Sequence, residues 1–257
     1  MGAVDPIVAA LPSISLQELL DVAALLNRTD RKYVVTATQL RDLLDAMTGD
    51  VRVLEVDGLR AFGYESMYFD TPEHHSYRAA AYRRRRRFKV RTRSYLDTQQ
   101  TFLEVKVRDA RRRTMKLRTP YAFAERMHLD AQARAFVRQS FEAHGIPTNS
   151  VATLAPTLHT EFRRSTLFIP SAGCRMTVDT DLRIAHPAGD PLAVPDLIVL
   201  ETKSDAHDRR VDRTLWRLGV RPETISKFAI GSALLDPDLP DNKWSRTIAR
   251  HFAPAAS

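Results

Sequence analysis

The sequence predicts an α+β fold in which an antiparallel sheet of about eight strands closes into a barrel, with helices packed outside it. Three observations carry that prediction. Between Arg86 and Arg118, three successive stretches alternate charged and apolar residues with the two-residue period of a strand. Arg87, Lys89, Arg91 and Arg93 fall opposite Phe88 and Val90. Glu104, Lys106 and Arg108 oppose Leu103, Val105 and Val107, and Thr114, Lys116 and Arg118 oppose Met115 and Leu117. Second, a similar alternation returns in PTLHTEFRRSTLFIP, CRMTVDTDLRI and DLIVLETK. Third, the intervening helices carry apolar stripes that need a sheet face, and the apolar sides of the strands supply one. The charged sides then face inward, across a lumen wide enough for one slender ligand. Taken alone, any one of these strands would suggest an open sheet whose charged face meets water.

The elements follow in order. Ser15 is placed to cap a helix through LQELLDVAALL, which NRTD ends. After the strand RKYVVT, Thr38 caps a second helix with Leu40, Leu43, Leu44 and Met47 on one face and Gly49 at its stop. Strands around VRVLEV and RAFGYESMYFD are joined by Asp57-Gly58, a hairpin signal that pairs them antiparallel. Thr71-Pro72 breaks the sheet, and EHHSYRAAAY is a short helix leading into five arginines, of which Arg83 to Arg85 read as a solvated patch.

Past the three central strands, helical segments span roughly 122–144, burying Phe136, Val137 and Phe141 and ending at Gly145. In the second half His159, Glu161, Arg163 and Ser165 share a strand face against Leu158, Phe162 and Arg164. Arg175, Thr177, Asp179, Asp181 and Arg183 share a face of the next strand, and Glu201 and Lys203 a face of another. A helix over DRRVDRTLWRLGV and the segment SKFAIGSALL complete a single domain, residues 1–236. Residues 237–257 read as a polar, proline-containing tail.

Composition narrows the partners. Lys and Arg number 39 against 31 Asp and Glu, giving a net charge of +8, which points to polyanions: nucleic acid, anionic lipid, nucleotides or phosphate chains. The single cysteine, Cys174, excludes an internal disulfide and disfavours a cysteine-based zinc site, as expected of a cytoplasmic protein. No stretch is long and apolar enough for a membrane span, and MGAVDPIVAALPS lacks the basic start and long apolar run of a signal peptide.

Cations crowded into a lumen repel, by about 4 kcal/mol for two at 4 Å and an effective dielectric near 20, and a polyanion relieves that strain. Carboxylates among them have two readings: partners that hold the arginines, or ligands for a hard divalent cation such as Mg²⁺ or Mn²⁺. For Glu104, beside Lys106, the salt bridge is the better reading. For Glu201 both stand.

The chain resembles the VTC domain, the polyphosphate polymerase domain family within the CYTH-like superfamily of triphosphate tunnel enzymes. The resemblance rests on DRKYVV, YFDTP, FKVRTRSY, FLEVKVR, EFRRSTL, VDTDLRI, VLETK and SKF, which span Asp30 to about Leu235 in the family's order. It implies a closed tunnel that binds ATP or another nucleoside triphosphate and inorganic polyphosphate, with Mn²⁺ or Mg²⁺. The γ-phosphate of ATP would be transferred to the growing chain. Phosphate-contacting cations of the family match Lys32, Arg91, Arg93, Lys106, Arg163 and Lys227, and a metal-binding glutamate matches Glu201. Lys116 and Lys203 join them as tunnel-lining candidates by strand parity.

The chain departs from the polymerase pattern at Thr224, where those members carry a second lysine before SKF. It also lacks the regulatory domain and membrane segments of large eukaryotic members, so any translocation step would fall to an associated membrane protein. Two other functions use the same tunnel: hydrolysis of triphosphate or polyphosphate, and non-catalytic binding of phosphate chains. Nucleic acid is disfavoured as a partner because the basic faces carry few aromatic residues on which bases stack, Tyr95 excepted.

Overall fold

The computed structural model describes residues 2–23, 28–47, 49–109, 111, 113–205 and 208–252. Its elements run α1 (Asp5–Ala9), β1 (Ser13–Ile14), α2 (Leu16–Ala23), β2 (Arg28–Val35), α3 (Ala37–Ala46), β3 (Arg52–Leu54), β4 (Phe62–Asp70), α4 (His75–Ala81), β5 (Arg87–Tyr95), β6 (Gln100–Arg108) and β7 (Thr114–Tyr121). There follow α5 (Ala131–Glu142), β8 (Ala155–Ile169), β9 (Cys174–Ala185), β10 (Leu192–Val194), β11 (Ile198–Asp205), α6 (Arg210–Arg217), α7 (Lys227–Leu235) and α8 (Ser245–His251).

The three central strands form as their alternation requires. β5 and β6 pair with Arg87 opposite Arg108, Lys89 opposite Lys106 and Arg91 opposite Glu104, and β6 pairs with β7 with Lys106 opposite Lys116. The principal hydrogen-bonded path is β2-β11-β9-β8-β4-β5-β6-β7, antiparallel throughout, with β3 and β10 branching from β8 and β9 and β1 joining β3 in parallel.

Two expectations are corrected here. Among the described residues the sheet has eleven strands rather than about eight, and it is not closed into a barrel, since β2 and β7 do not pair. Alternation reports which side of a strand is buried and is silent on which backbones pair. The β7 edge also resists pairing: Pro120 has no N–H to donate, and Lys116 and Arg118 charge the strand.

Local signals hold in part. The Asp57-Gly58 turn forms with both residues at positive φ, 51° and 76°, yet only the Val56–Leu59 bridge flanks it. β3 and β4 are not a hairpin; both pair with β8 instead. Thr36, two residues earlier than expected, caps α3 in a capping box: its hydroxyl accepts from the Gln39 N–H at 3.1 Å while the Gln39 side chain accepts from the Thr36 N–H at 3.0 Å. The helix around 122–144 begins only at Ala131, where Asp130 caps it.

The convex side carries the expected helical layer. Leu40, Leu43 and Leu44 of α3 and Val211 and Leu215 of α6 bury against Tyr33, Val178 and Leu200, and Val137 and Phe141 of α5 cover Val90, Leu103 and Val105. Asp212 ties α6 to the sheet by accepting from Arg31 (2.6 Å), Tyr33 Oη (2.7 Å) and Thr202 Oγ1 (2.8 Å).

Not every helix lies outside: α7 and Tyr77 of α4 share an inner cluster. α7 packs against the concave face, with Phe228, Ala229 and Ile230 on Tyr68, Leu158, Phe162 and Ile184. It approaches so closely that a Cβ on Gly231 would come within 3.0 Å of Ile184 and 3.1 Å of Leu158. The expected polar tail belongs to this same packing. Leu239 and Trp244 are buried in the α7 cluster, Tyr77 Oη donates to the Pro240 carbonyl at 3.0 Å, and α8 follows. The proline and charges of this segment disguise two apolar anchors.

Candidate anion-binding site

The concave face encloses a cavity of about 320 Å³. Every strand of the principal path except β4 contributes a charged side chain to it: Asp30 and Lys32 from β2, Lys89, Arg91 and Arg93 from β5, Glu104 and Lys106 from β6, Lys116 from β7, Arg164 from β8, Asp179 from β9, and Glu201 and Lys203 from β11. From β4 comes Tyr68, and from the start of α7 Ser226 and Lys227. Among the described residues nine cations thus face four carboxylates. Although β2 and β7 do not pair, the sheet curls far enough to bring both to one cavity.

The carboxylates organise the cations into sets. Glu104 receives Arg91 through Nε (2.8 Å) and Nη2 (2.6 Å) and Lys116 at 2.7 Å, with Arg93 at 4.0 Å. Burial pushes the Glu104 carboxyl up, but Arg91, Arg93 and Lys116 outweigh it and hold the pKa at about 2. Asp179 takes both forks of Arg164, at 2.6 and 2.8 Å, together with Lys227. Despite burial, these cations hold its carboxyl far below the usual carboxylate range. Glu201 lies 3.2 Å from Lys203 and 4.0 Å from Lys32; burial raises its pKa, and Lys32, Lys203 and Arg164 more than reverse the effect.

Other cations lack full compensation. Arg93 Nε is buried without a hydrogen-bond partner, and burial followed by repulsion from Arg91 lowers its pKa. Lys89 donates to Ser226 Oγ at 3.3 Å and lies 4.8 Å from the Phe228 ring centre; burial, Arg91, Lys32 and Lys106 push its pKa well down. Lys106 is lowered by burial and then by Lys32 and Arg91, against the pull of Asp30 and Glu201. Burial depresses Lys227 to about 8 even beside Asp179. Ser226 caps α7, so that helix directs its N-terminus, a favourable end for anions, toward the same space. A multiply charged anion is the ligand that this arrangement fits.

Of the residues singled out from sequence, Lys32, Arg91, Arg93, Lys106, Lys116, Glu201, Lys203 and Lys227 come together in the cavity. Arg163 does not. Its side chain is about half exposed and lies 3.4 Å from Asp5, while Arg164 takes the inward position. The charged face of β8 is its outer face, because the inner one carries Leu158 and Phe162 for α7 to pack on. Sequence parity puts Lys89 beside Arg91 and Arg93, and Asp179 beside Thr177, without marking either as a site residue. Arg164, flanked in alternation by apolar residues, gives no such signal.

An antiparallel sheet curled around a basic cavity defines the class: an α+β protein whose sheet lines a strongly cationic space. The profile of the VTC domain matches residues 27–236, and the chain belongs to that family. No curated protein matches. Among solved structures, HpAC1 from Hippeastrum, a candidate adenylyl cyclase with a dominant triphosphatase activity, aligns with a TM-score of 0.52 at 14% identity, over 80% of this chain and 95% of its own. A candidate adenylate cyclase from Bacillus halodurans aligns at 0.47 and 11% identity, over 77% and 93%. At such identities the likeness concerns the fold.

Proposed function

We propose that the protein is a polyphosphate polymerase-like phosphotransferase that moves the γ-phosphate of ATP onto a polyphosphate chain. The observation that supports this reading is the cavity itself, in which nine cations meet four carboxylates around about 320 Å³, within a chain of the VTC domain family. In the reaction a terminal phosphate oxygen of the chain attacks the γ-phosphorus. The bond to the β,γ-bridging oxygen breaks, ADP leaves with the electron pair, and the chain gains one phosphate. Such transfer asks mainly for alignment and for neutralisation of charge on the equatorial oxygens. Arg91, Arg93 and Arg164 offer planar forked donors, while Lys32, Lys89, Lys106, Lys116, Lys203 and Lys227 act as point charges.

The donor set fits a Mg²⁺ or Mn²⁺ ion that arrives largely on the phosphates. Among the described residues no group of three acidic, His or Cys ligands stands ready for a metal, but Glu201 faces the cavity, and Mg²⁺ commonly takes one or two carboxylates with the rest from phosphate and water. Glu201 would hold it, and it would offset charge on the transferring group. Glu201→Gln keeps the shape and removes the charge, so triphosphate binding should survive while metal-dependent turnover fails. Wild-type protein with ATP and Mn²⁺ or Mg²⁺, followed by phosphorus NMR, should give ADP with the missing phosphate in chains. Orthophosphate as the sole phosphate product would replace the transferase by the hydrolase reading, which Thr224 and the triphosphatase activity of the Hippeastrum protein favour.

A further inference from the structure

The charged face of β5 and β6 does not stop where the cavity does. One rung beyond the cavity-lining pair Lys89 and Lys106, Arg87 stands directly opposite Arg108 on the same face. Lys243, from the segment before α8, adds its charge there, donating to the Ala80 carbonyl at 3.3 Å and resting 4.9 Å from the Trp244 ring centre. Arg83 adds a fourth: its backbone N–H and the Lys243 ammonium both donate to the Ala80 carbonyl, each at 3.3 Å. The basic character of the β5 and β6 face thus continues past the end of the cavity.

Arg83 is held in place by the end of α4. α4 ends in a Schellman motif, with the Arg84 N–H on the Ala79 carbonyl (2.9 Å) and the Arg83 N–H on the Ala80 carbonyl (3.3 Å). This places Arg83 at φ 53°, the left-handed position that helices normally give to glycine. A long cationic side chain occupies a site where its backbone is strained.

We infer that Arg83, Arg87, Arg108 and Lys243 form a landing strip outside the cavity for linear inorganic polyphosphate, engaging the part of the chain that has left the catalytic space. The inference rests on the phosphate reading of the cavity. From Arg93 to Arg87 the basic face of β5 extends about 20 Å, so a tripolyphosphate seated at the Arg91 and Arg93 end does not reach the outer four, whereas a long chain spans both. Chain length should therefore decide whether the strip contributes.

The test compares tripolyphosphate with long-chain polyphosphate, by titration calorimetry, on wild-type protein, on Arg83→Gly and on Arg83→Gly/Arg87→Ala/Lys243→Ala. The triple variant should bind the long chain about tenfold more weakly, with a shallower salt dependence, and bind tripolyphosphate as wild type does. Arg83→Gly relieves backbone strain, so it should fold at least as well as wild type while losing part of the long-chain preference, which keeps the test decisive if the triple variant fails to fold. Unchanged preference for the long chain in both variants, with tripolyphosphate still bound, overturns the landing strip and leaves the cavity reading intact. No binding of tripolyphosphate to wild type overturns the cavity reading and the strip with it. If duplex DNA binds wild type more tightly than long-chain polyphosphate and loses more on substitution, the strip is a nucleic-acid surface and the inference fails.

Discussion

Asp179 shows how a single carboxylate can hold two cations in a cavity that would otherwise repel them. It is buried, and both Arg164 and Lys227 depend on it. Asp179→Asn leaves two buried cations without their counter-charge, which should cost about 3–5 kcal/mol in chemical denaturation. Added tripolyphosphate should restore part of the loss. Acid should act through the same groups. Both Glu104 and Asp179 have folded pKa values below their unfolded ones, so their stabilisation is complete above the ordinary carboxylate range and is lost as pH falls toward the folded values. The melting temperature should decline as pH drops from about 4.5 toward 2, and Glu104→Gln should flatten that decline. Lys227, lowered to about 8, titrates at the other end: below that pH it is charged and able to grip phosphate, and above it the charge goes. Tripolyphosphate affinity should weaken as pH rises through 8, with proton uptake on binding visible in calorimetry in buffers of different ionisation enthalpy.

At the scale of elements, the most consequential placement is α7 on the concave face. It fills one end of the curl, brings Ser226 and Lys227 to the cavity, and receives Trp244 from the segment that follows. Trp244→Ala should cost about 3–5 kcal/mol, as for other buried large aromatic residues, and the loss should appear in thermal denaturation before any effect on phosphate affinity. These arrangements are unevenly legible in the sequence. The strands β5, β6 and β7 can be read because charge recurring at every second position matches the period of a strand and not that of a helix. The inner face of β8 cannot, because a residue facing α7 must be apolar and a residue facing the cavity must be charged, and Phe162 and Arg164 do each in turn on one side. β9 misleads for a different reason: Asp181 sits at φ 54° beside a register shift, so Leu182 and Ile184 join the inner cluster although simple alternation sets them opposite Asp179. Periodicity survives neither a bulge nor a face shared by two kinds of neighbour.

For the molecule as a whole, the excess of cations in the cavity means that the empty protein carries unrelieved repulsion that a matching anion removes. Tripolyphosphate at a hundred times its dissociation constant should add about 2.7 kcal/mol to stability, and the melting temperature should rise with its concentration. Duplex DNA at equal phosphate should shift it far less, being too wide for a cavity of about 320 Å³. A larger shift with DNA would reverse the assignment of ligand class. Arg91→Ala and Arg93→Ala should reduce turnover about a hundredfold or more, as expected of fixed donors to transferring oxygens. Neither should unfold the protein, since neither opens the apolar clusters.

The unpaired edges of β2 and β7 bear on how a polymer gets in. A closed ring admits a chain only by an end, and a molecule without ends cannot enter it at all. Here no backbone ladder joins the two edges among the described residues, although Asp30 of β2 and Glu201 of β11 act by their charge on Lys106 of β6. Entry between these edges would break no strand pairing. On the proposed reading a phosphate chain would be laid in from the side, as a thread is laid into a slot, and a cyclic phosphate should then compete with a linear one for the cavity in calorimetry.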